Sequence, residues 1–257
     1  GTGVNASDSE YTTTASISSV TGGRAKASNY SLTNSAGKFK INKASSTTTF
    51  KSTGGTYSGS AIGATASGYG SITYTYYSDS GCKTAISTPI DAGTYYVQAK
   101  SAGDGNHYGA TSSCSSHVIS PKKLTVSWNS DDTFTYDGSE HSRELSLGVL
   151  TGVNSETVVL TTNGTGVDAS DNEYTTSASI LLVMDGRKNK NNYTLSNNTA
   201  KFRINKASST TTFKSTGGTY SGSAIGATAS GYGSITYTYY SDSGCKTAIS
   251  TPIDAGT

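Results

Sequence analysis

The seven residues DAGTYYV, Asp91–Val97, are the most informative stretch of this 257-residue chain. An Asp-x-Gly-x-Tyr spacing ahead of a β-like run is typical of a tyrosine corner, in which the tyrosine hydroxyl donates a hydrogen bond to the backbone a few residues upstream. We predict such a corner with Tyr95 as the donor and Asp91 at its upstream end. The alternative is an ordinary turn before a strand. Because tyrosine corners belong to β-sandwiches, the stretch favours that architecture.

Alternating Tyr, Thr and Val residues on both sides of this stretch predict further strands. The predicted strands include Thr47–Lys51, Ser71–Tyr77, Thr94–Lys100, Ser116–Ser120, Leu124–Trp128, Glu156–Thr162, Tyr174–Val183 and Thr199–Asn205. Turn signals rich in Gly and Asp occur at Thr53–Gly55, Asp79–Gly81, Gly103–Gly105 and Asp137–Gly138. No stretch keeps a helical periodicity. The sequence therefore predicts an all-β chain of small Ig-like β-sandwich modules.

A long internal repeat organises the chain. Lys43–Thr94 recurs letter for letter as Lys206–Thr257, which is an offset of 206 − 43 = 163 residues. With scattered substitutions the match extends upstream, so that residues 1–94 overlay residues 164–257. Repetition at a fixed period is the sequence signature of tandem arrays.

Each period divides into two related modules. TYSGS at Thr56–Ser60 is echoed by TYDGS at Thr135–Ser139, and each follows a Lys-containing junction by about a dozen residues. We predict four segments, which are residues 1–42, 43–121, 122–205 and 206–257. The second and third are a complete first-type and a complete second-type module. The outer two are the back part of a second-type module and the front part of a first-type module, so we expect the chain to be an excerpt of a longer array.

The junction between the two complete modules is short. HVISPKKLTVSW, His117–Trp128, passes from one to the other with one proline and no Gly or Ser run. Flexible linkers have a different composition. The modules are therefore predicted to lie end to end as a stiff rod or fibre.

Composition excludes several function classes. The formal net charge is +2 and charged residues are only 14% of the chain, so no basic stripe suggests nucleic-acid binding. No apolar run approaches the ~20 residues of a membrane helix, so no membrane insertion is expected in this segment.

The three cysteines follow the repeat. Cys245 is the copy of Cys82, whereas Cys114 has no copy within the chain. We predict a Cys82–Cys114 disulfide, which closes a loop of about thirty residues and stabilises by ~3 kcal/mol in the chain-entropy model. Cys245 is then unpaired because of truncation. Two free thiols or bridges between chains are the alternatives; the intramodule bridge implies an oxidising, extracellular location.

No pattern predicts catalysis or a cofactor. His107, His117 and His141 lack metal-ligand spacing, and no G-x-S-x-G motif is present, so the chain is not expected to be an enzyme.

One acidic cluster is a candidate calcium site. DASDNE at 168–173 places Asp168, Asp171 and Glu173 at short spacing in a loop. The cluster does not match an EF-hand loop, and Asp168 is replaced by Asn5 in the copy. Solvated turn residues are therefore the favoured interpretation, and no metal is assigned.

The sequence resembles the paired MBG and YDG domains of large bacterial surface and adhesin-like proteins. The MBG-like residues are ITYTYYSDSG (Ile72–Gly81), STPIDAGTYYVQAKSAGDGN (Ser87–Asn106) and SSHVISPKK (Ser115–Lys123). The YDG-like residues are LTVSW (Leu124–Trp128) and TFTYDGSEHS (Thr133–Ser142). The resemblance implies repeated extracellular stalk modules and no catalysis.

The expected function is structural: a stiff cell-surface stalk or filament. Its expected partners are further copies of the same repeat, in the same chain or in neighbouring chains. One alternative is an adhesive module that binds glycans or cell surfaces by avidity. Another is a short subunit that polymerises head to tail by strand sharing.

Overall fold

The computed structural model describes residues 3–24, 26–33 and 36–256. Within these ranges the regular structure consists of β-strands and short 3₁₀ turns, and no α-helix is present. The chain is therefore all-β, as predicted. The 3₁₀ turns are Ala27–Asn29, Val153–Ser155 and Lys190–Asn192. No helix in the described ranges is long and apolar enough to cross a membrane.

The strands are numbered in chain order. Those up to residue 121 are β1 (Tyr11–Thr14), β2 (Ala36–Phe39), β3 (Thr49–Ser52), β4 (Gly54–Thr56), β5 (Thr65–Ser67), β6 (Ile72–Tyr77), β7 (Ala85–Ile86), β8 (Gly93–Gly103), β9 (Tyr108–Thr111) and β10 (Ser115–Ser120). Those that follow are β11 (Lys122–Thr125), β12 (Thr133–Thr135), β13 (Val149–Thr151), β14 (Thr157–Asn163), β15 (Tyr174–Met184), β16 (Tyr193–Ser196), β17 (Thr199–Asn205), β18 (Thr212–Ser215), β19 (Thr228–Ser230), β20 (Tyr239–Tyr240) and β21 (Ala248–Ile249).

The chain divides into two compact units. Unit 1 comprises Gly1–Asn129, Glu144–Asn163 and Ser177–Ala200, and unit 2 comprises Ser130–Arg143, Gly164–Thr176 and Lys201–Thr257. β15 and β17 each supply residues to both units. The four-segment division at residues 42, 121 and 205 stays a prediction from the repeat pattern.

The larger sheet of unit 1 is built around β8, the eleven-residue strand that continues the DAGTYYV stretch. Its strand order is β4-β10-β8-β6-β7, and β9 also pairs with β8. Val97, Ala99 and Ser101 alternate along β8 and are all 0% exposed. β8 lies at the centre of this sheet, and its alternate residues form one buried face, as the period of two in a strand requires.

The predicted turn at Thr53–Gly55 is wrong. Gly54 and Gly55 belong to β4, which pairs in parallel with β10. Gly54 has φ +153°, and an added Cβ would overlap the carbonyl oxygen of Val118. Glycine is therefore needed here because two backbones approach closely.

In a second sheet region of unit 1, β13 pairs with β14 and β14 pairs with β15, both in antiparallel orientation. The register shifts between Val159 and Leu160. β11 pairs in parallel with β16. The predicted strand Leu124–Trp128 is therefore displaced: β11 begins directly after Pro121, and Trp128 instead forms an isolated bridge with Leu145.

Unit 2 has its own aromatic cluster. β12 pairs in parallel with the end of β17, and Thr133 lies opposite Arg203. Phe202 of β17 is 1% exposed. Its ring packs edge-on against Phe134 at 5.7 Å and stacks on Tyr174 at 5.4 Å. β18 pairs with β19, and β20 with β21.

Candidate functional site at the module junction

The hydrophobic core of unit 1 continues across Pro121, the predicted boundary between the two complete modules. Its buried members are Tyr57, Ile119, Val126, Val158, Leu160, Ala178, Val183 and Tyr193, of which the first two precede the boundary and the others follow it. Each large apolar side chain buried in this way stabilises the fold by about 1.5–3 kcal/mol. Separating the residues before Pro121 from those after it would therefore open a shared core.

The backbone crosses this boundary in one residue. β10 ends at Ser120 and β11 begins at Lys122, so Pro121 alone connects a strand of one sheet to a strand of another. The carbonyl of Ser120 accepts a hydrogen bond from the Tyr57 amide at 2.9 Å. The fixed φ of proline further restricts rotation at this point.

A buried carboxylate lies in the junction. Glu156, which is 3% exposed, follows the 3₁₀ turn Val153–Ser155. Its Oε1 accepts from the Tyr57 hydroxyl at 2.9 Å and from the Arg187 amide at 2.9 Å. Its Oε2 accepts from the Tyr193 hydroxyl at 2.6 Å. A buried charge is tolerated when donors surround it in this way.

These contacts set the protonation states. Burial alone would raise the pKa of Glu156, but the hydrogen bonds from the Arg187 amide, Tyr193 and Tyr57 outweigh it and lower the pKa. Burial, together with the hydrogen bond to Glu156, raises the pKa of Tyr57 to about 12 and raises that of Tyr193 as well. At neutral pH the carboxylate is therefore ionised, and both phenols remain hydrogen-bond donors.

A second polar group lies beside it. The Arg187 guanidinium binds both carboxylate oxygens of Asp91, through Nε and through Nη2, the latter at 2.6 Å. Asn192, which is fully buried, donates from Nδ2 to Asp91 Oδ1 at 2.8 Å and accepts from the Ala92 amide at 2.7 Å. The Arg187 hydrogen bond lowers the pKa of Asp91. Bidentate Arg–carboxylate pairs fix geometry as well as adding energy.

Tyr95 and Asp91 have the arrangement of a tyrosine corner. The Tyr95 hydroxyl donates to the Asp91 carbonyl oxygen at 3.1 Å. The side chain of the same aspartate faces Arg187 and Asn192. Asp91 therefore belongs both to the tyrosine corner and to the junction.

We call Tyr57 and Asp91 the Tyr–Asp face, and Arg187, Asn192 and Tyr193 the Arg–Asn–Tyr face. Apart from Asp91, sequence reasoning did not single out these residues. One signal was available, because all five recur with the same identity in the partial copies of the repeat. Glu156 has no counterpart at the repeat offset within this chain.

The disulfide between Cys82 and Cys114 is formed, with a Cα–Cα distance of 6.0 Å. It ties the turn between β6 and β7 to the start of β10. Cys245 is an exposed free cysteine.

Two of the acidic residues of the candidate calcium site contact different partners. Glu173 pairs with Lys201 at 3.0 Å, and the Asp168 carbonyl oxygen accepts from the Tyr174 hydroxyl at 2.9 Å. Asp168, Asp171 and Glu173 are all exposed. Among the residues that the structure describes, no three His, Cys, Asp or Glu side chains form a group that could hold a metal ion.

The three histidines have separate roles. His107 contacts Asp104 at 2.9 Å and His141 contacts Asp137 at 3.0 Å. His117 is fully buried in β10, where its Nε2 lies 2.9 Å from the Ile62 carbonyl oxygen and Nδ1 has no hydrogen-bond partner. Burial lowers the pKa of His117.

No protein-family model matches the chain, and a search of curated proteins found no similar sequence. The likeness to MBG and YDG domains therefore rests on the quoted residues alone.

Proposed function

We propose that this chain is a structural extracellular repeat protein whose tandem Ig-like sandwich modules, of the MBG and YDG kind, form a stiff cell-surface stalk or filament. Its task is mechanical. The modules transmit load along their strands, and the junctions between them resist bending.

The observation that carries this proposal is the junction at Pro121. Bending there would expose the shared core around Tyr57 and Tyr193 and would break the hydrogen bonds that satisfy Glu156. A buried carboxylate that loses its donors is strongly unfavourable. The two modules are therefore expected to move as one body.

The disulfide supports an extracellular location. Such bonds form and persist in oxidising environments and are rare in the cytosol. Cys82–Cys114 also limits how far its module can extend under load, because the covalent bond holds the β6–β7 turn to β10.

A distance measurement across the junction tests the proposal. Spin labels at Lys51 and Thr161, both exposed and within unit 1, report on the two modules in a Cys245→Ser background. We expect a single narrow distance distribution, and a broader one after Arg187→Ala. Lys190→Ala, an exposed neighbour, is the matched control and should leave the distribution narrow. A broad distribution in the parent chain would refute a stiff junction.

A second candidate function is glycan binding. Unit 1 has a cleft of about 480 Å³ lined by Tyr108, Lys43 and Asp8, and the Tyr108 side chain is 57% exposed. Its volume lies within the range of ligand pockets, and an exposed aromatic face beside charged groups suits a sugar ring. Titration of the chain with an oligosaccharide panel, repeated with Tyr108→Ala, tests this candidate. Absence of any Tyr108-dependent binding would exclude it.

A further inference from the structure

In each of the two complete predicted modules, the last strand lies beside the second strand and runs in the same direction. Within residues 43–121, β4 pairs in parallel with β10. Within residues 122–205, β12 pairs in parallel with β17. The neighbouring pairs β6–β8 and β8–β10 are antiparallel. The same parallel pairing of second and last strands therefore occurs twice in the chain.

In the first of these modules the parallel ladder continues to the very end of the last strand. The Val118 amide donates to the Thr53 carbonyl oxygen at 3.1 Å, and the Tyr57 amide donates to the Ser120 carbonyl oxygen at 2.9 Å. Ser120 is the last residue of β10. Hydrogen bonds from the β4 region therefore hold the backbone up to the point where it leaves the module.

The second module has the same bonds at equivalent positions. The Arg203 amide donates to the Asp132 carbonyl oxygen, and the Tyr136 amide donates to the Asn205 carbonyl oxygen, both at 2.9 Å. Asn205 is the last residue of β17. Of the four positions, the tyrosine alone is the same residue in both modules. The two modules therefore share a pattern of backbone bonding rather than a set of side chains.

The last strand of each module is an inner strand of its sheet. β10 lies between β4 and β8, and β17 lies between β12 and β15. Alternate side chains of both strands are buried, since Ile119 is 1% exposed and Ile204 is 0% exposed. Withdrawing either strand would break hydrogen bonds on both of its edges and leave backbone groups without partners.

The direction of the paired strands decides how a pull along the chain loads them. Tension on the chain before a module pulls the second strand towards its N-terminal end, and tension after the module pulls the last strand towards its C-terminal end. Because the two strands are parallel, these pulls oppose each other along the strands and load the hydrogen bonds of the ladder together. In an antiparallel pair the pulled ends would meet at one end of the ladder, and its bonds would break one after another.

We propose that the β4–β10 and β12–β17 ladders are mechanical clamps that keep their modules folded when the chain is stretched. The inference rests on the proposed structural function and names the hydrogen bonds through which each module resists extension. The strands ahead of the clamps, β3 and β11, each belong to a two-stranded sheet. Two-stranded sheets are the weaker arrangement, so these strands yield first and the load then passes to the clamps.

Stretching single molecules of the full chain by its two ends at constant force tests the inference. Val118→Pro removes the amide that donates to Thr53. Ser116→Pro is the matched control, because Ser116 is an exposed residue of the same strand that lies outside the register with β4. The folded lifetime under load should be about fivefold shorter for Val118→Pro than for Ser116→Pro, as expected for the loss of one hydrogen bond.

The disulfide identifies the unfolding step of the first module. Reducing Cys82–Cys114 frees the 32 residues of sequence separation that the bond spans, so this step should lengthen by about 110 Å, at ~3.5 Å per residue. Arg203→Pro, with the exposed Lys201→Pro as its control, repeats the comparison in the second module. Urea denaturation without load shows which variants fold, and the two modules supply independent pairs.

Equal lifetimes for the two proline variants of a module overturn the clamp in that module, and equal lifetimes in both modules overturn the inference. A shorter lifetime for Val118→Pro or Arg203→Pro than for its control supports it. The outcome is separate from that of the stiff-junction proposal, because the spin-label distances across Pro121 are measured without load.

Discussion

Replacement of Glu156 by alanine is the sharpest test of the junction. The substitution leaves three donors without their acceptor, namely the buried hydroxyls of Tyr57 and Tyr193 and the part-buried Arg187 amide. A buried donor that loses its partner costs about 1–3 kcal/mol. The lower part of that range, summed over three donors, gives an expected loss of about 3–5 kcal/mol in the free energy of unfolding.

Urea and thermal denaturation with the disulfide intact measure this loss. At about 2–4 °C per kcal/mol for a protein of this size, the melting temperature should fall by roughly 6–20 °C. Glu144→Ala, at an exposed glutamate of the same unit, is the matched control and should change stability by less than about 0.5 kcal/mol.

A double-mutant cycle separates the network from simple loss of volume. Tyr57→Phe removes one donor and keeps the ring in the core, so Glu156→Ala should cost about 1–2 kcal/mol less in that background. If Glu156→Ala is no more harmful than Glu144→Ala, or if the two substitutions are additive, the carboxylate does not organise the junction.

Three further predictions concern other parts of the chain. Because burial lowers the pKa of His117, this histidine binds a proton more readily in the unfolded chain than in the folded one. The stability contribution of neutral His117 should be full above about pH 6.5 and should fall below that pH by up to ~1.4 kcal/mol per pH unit. His117→Gln should remove that slope from pH-dependent denaturation curves. Replacing both Cys82 and Cys114 by serine should lower stability by about 3 kcal/mol, whereas Cys245→Ser should leave the melting temperature unchanged. Gly54→Ala should lower the free energy of unfolding, measured by calorimetry, by about 2 kcal/mol or more, because the added Cβ would overlap the Val118 carbonyl. Gly217→Ala is the control at the repeat position, where an added Cβ meets nothing within 4 Å. An equal loss for both substitutions would contradict this reasoning.

Local patterns explain which features could be predicted from the sequence. The alternation in YYVQAKSA predicts β8 because a strand with one buried face needs a period of two. The two cysteines between residues 43 and 121 predict the Cys82–Cys114 pair, with two free thiols or bridges between chains as the alternatives, and the structure shows the pair formed. The Tyr95 hydroxyl and the Asp91 carbonyl are four residues apart, so their hydrogen bond is also local.

The junction network could not be predicted in the same way. Tyr57 and Glu156 are 99 residues apart, and Asp91 and Asn192 are 101 residues apart. Nothing in either local stretch specifies the other, because contacts of this kind depend on the packing of one sheet against another. The retained Arg, Asn and Tyr of the repeat were the available signal, and only the fold gives them a role.

The duplicated stretch separates the two contributions directly, because Lys43–Thr94 and Lys206–Thr257 have identical sequences. Some features are the same in both copies. The β3–β5 pair recurs as β18–β19 with the same register shift, and the turn carboxylates Asp79 and Asp242 accept the same backbone hydrogen bonds. These features use partners within the stretch, so the sequence by itself determined them.

Other features differ between the copies. β6 has six residues, whereas its counterpart β20 has two, and the described residues of the second copy form no strand at the position of β4. Tyr57 is 2% exposed and Tyr220 61% exposed. β4 pairs with β10, β6 pairs with β8, and Tyr57 packs against the Arg–Asn–Tyr face. Nearly all of the residues of these partners lie outside the duplicated stretch. Only the tertiary structure decided these features, because a strand edge or a core position requires a partner that its own sequence does not contain.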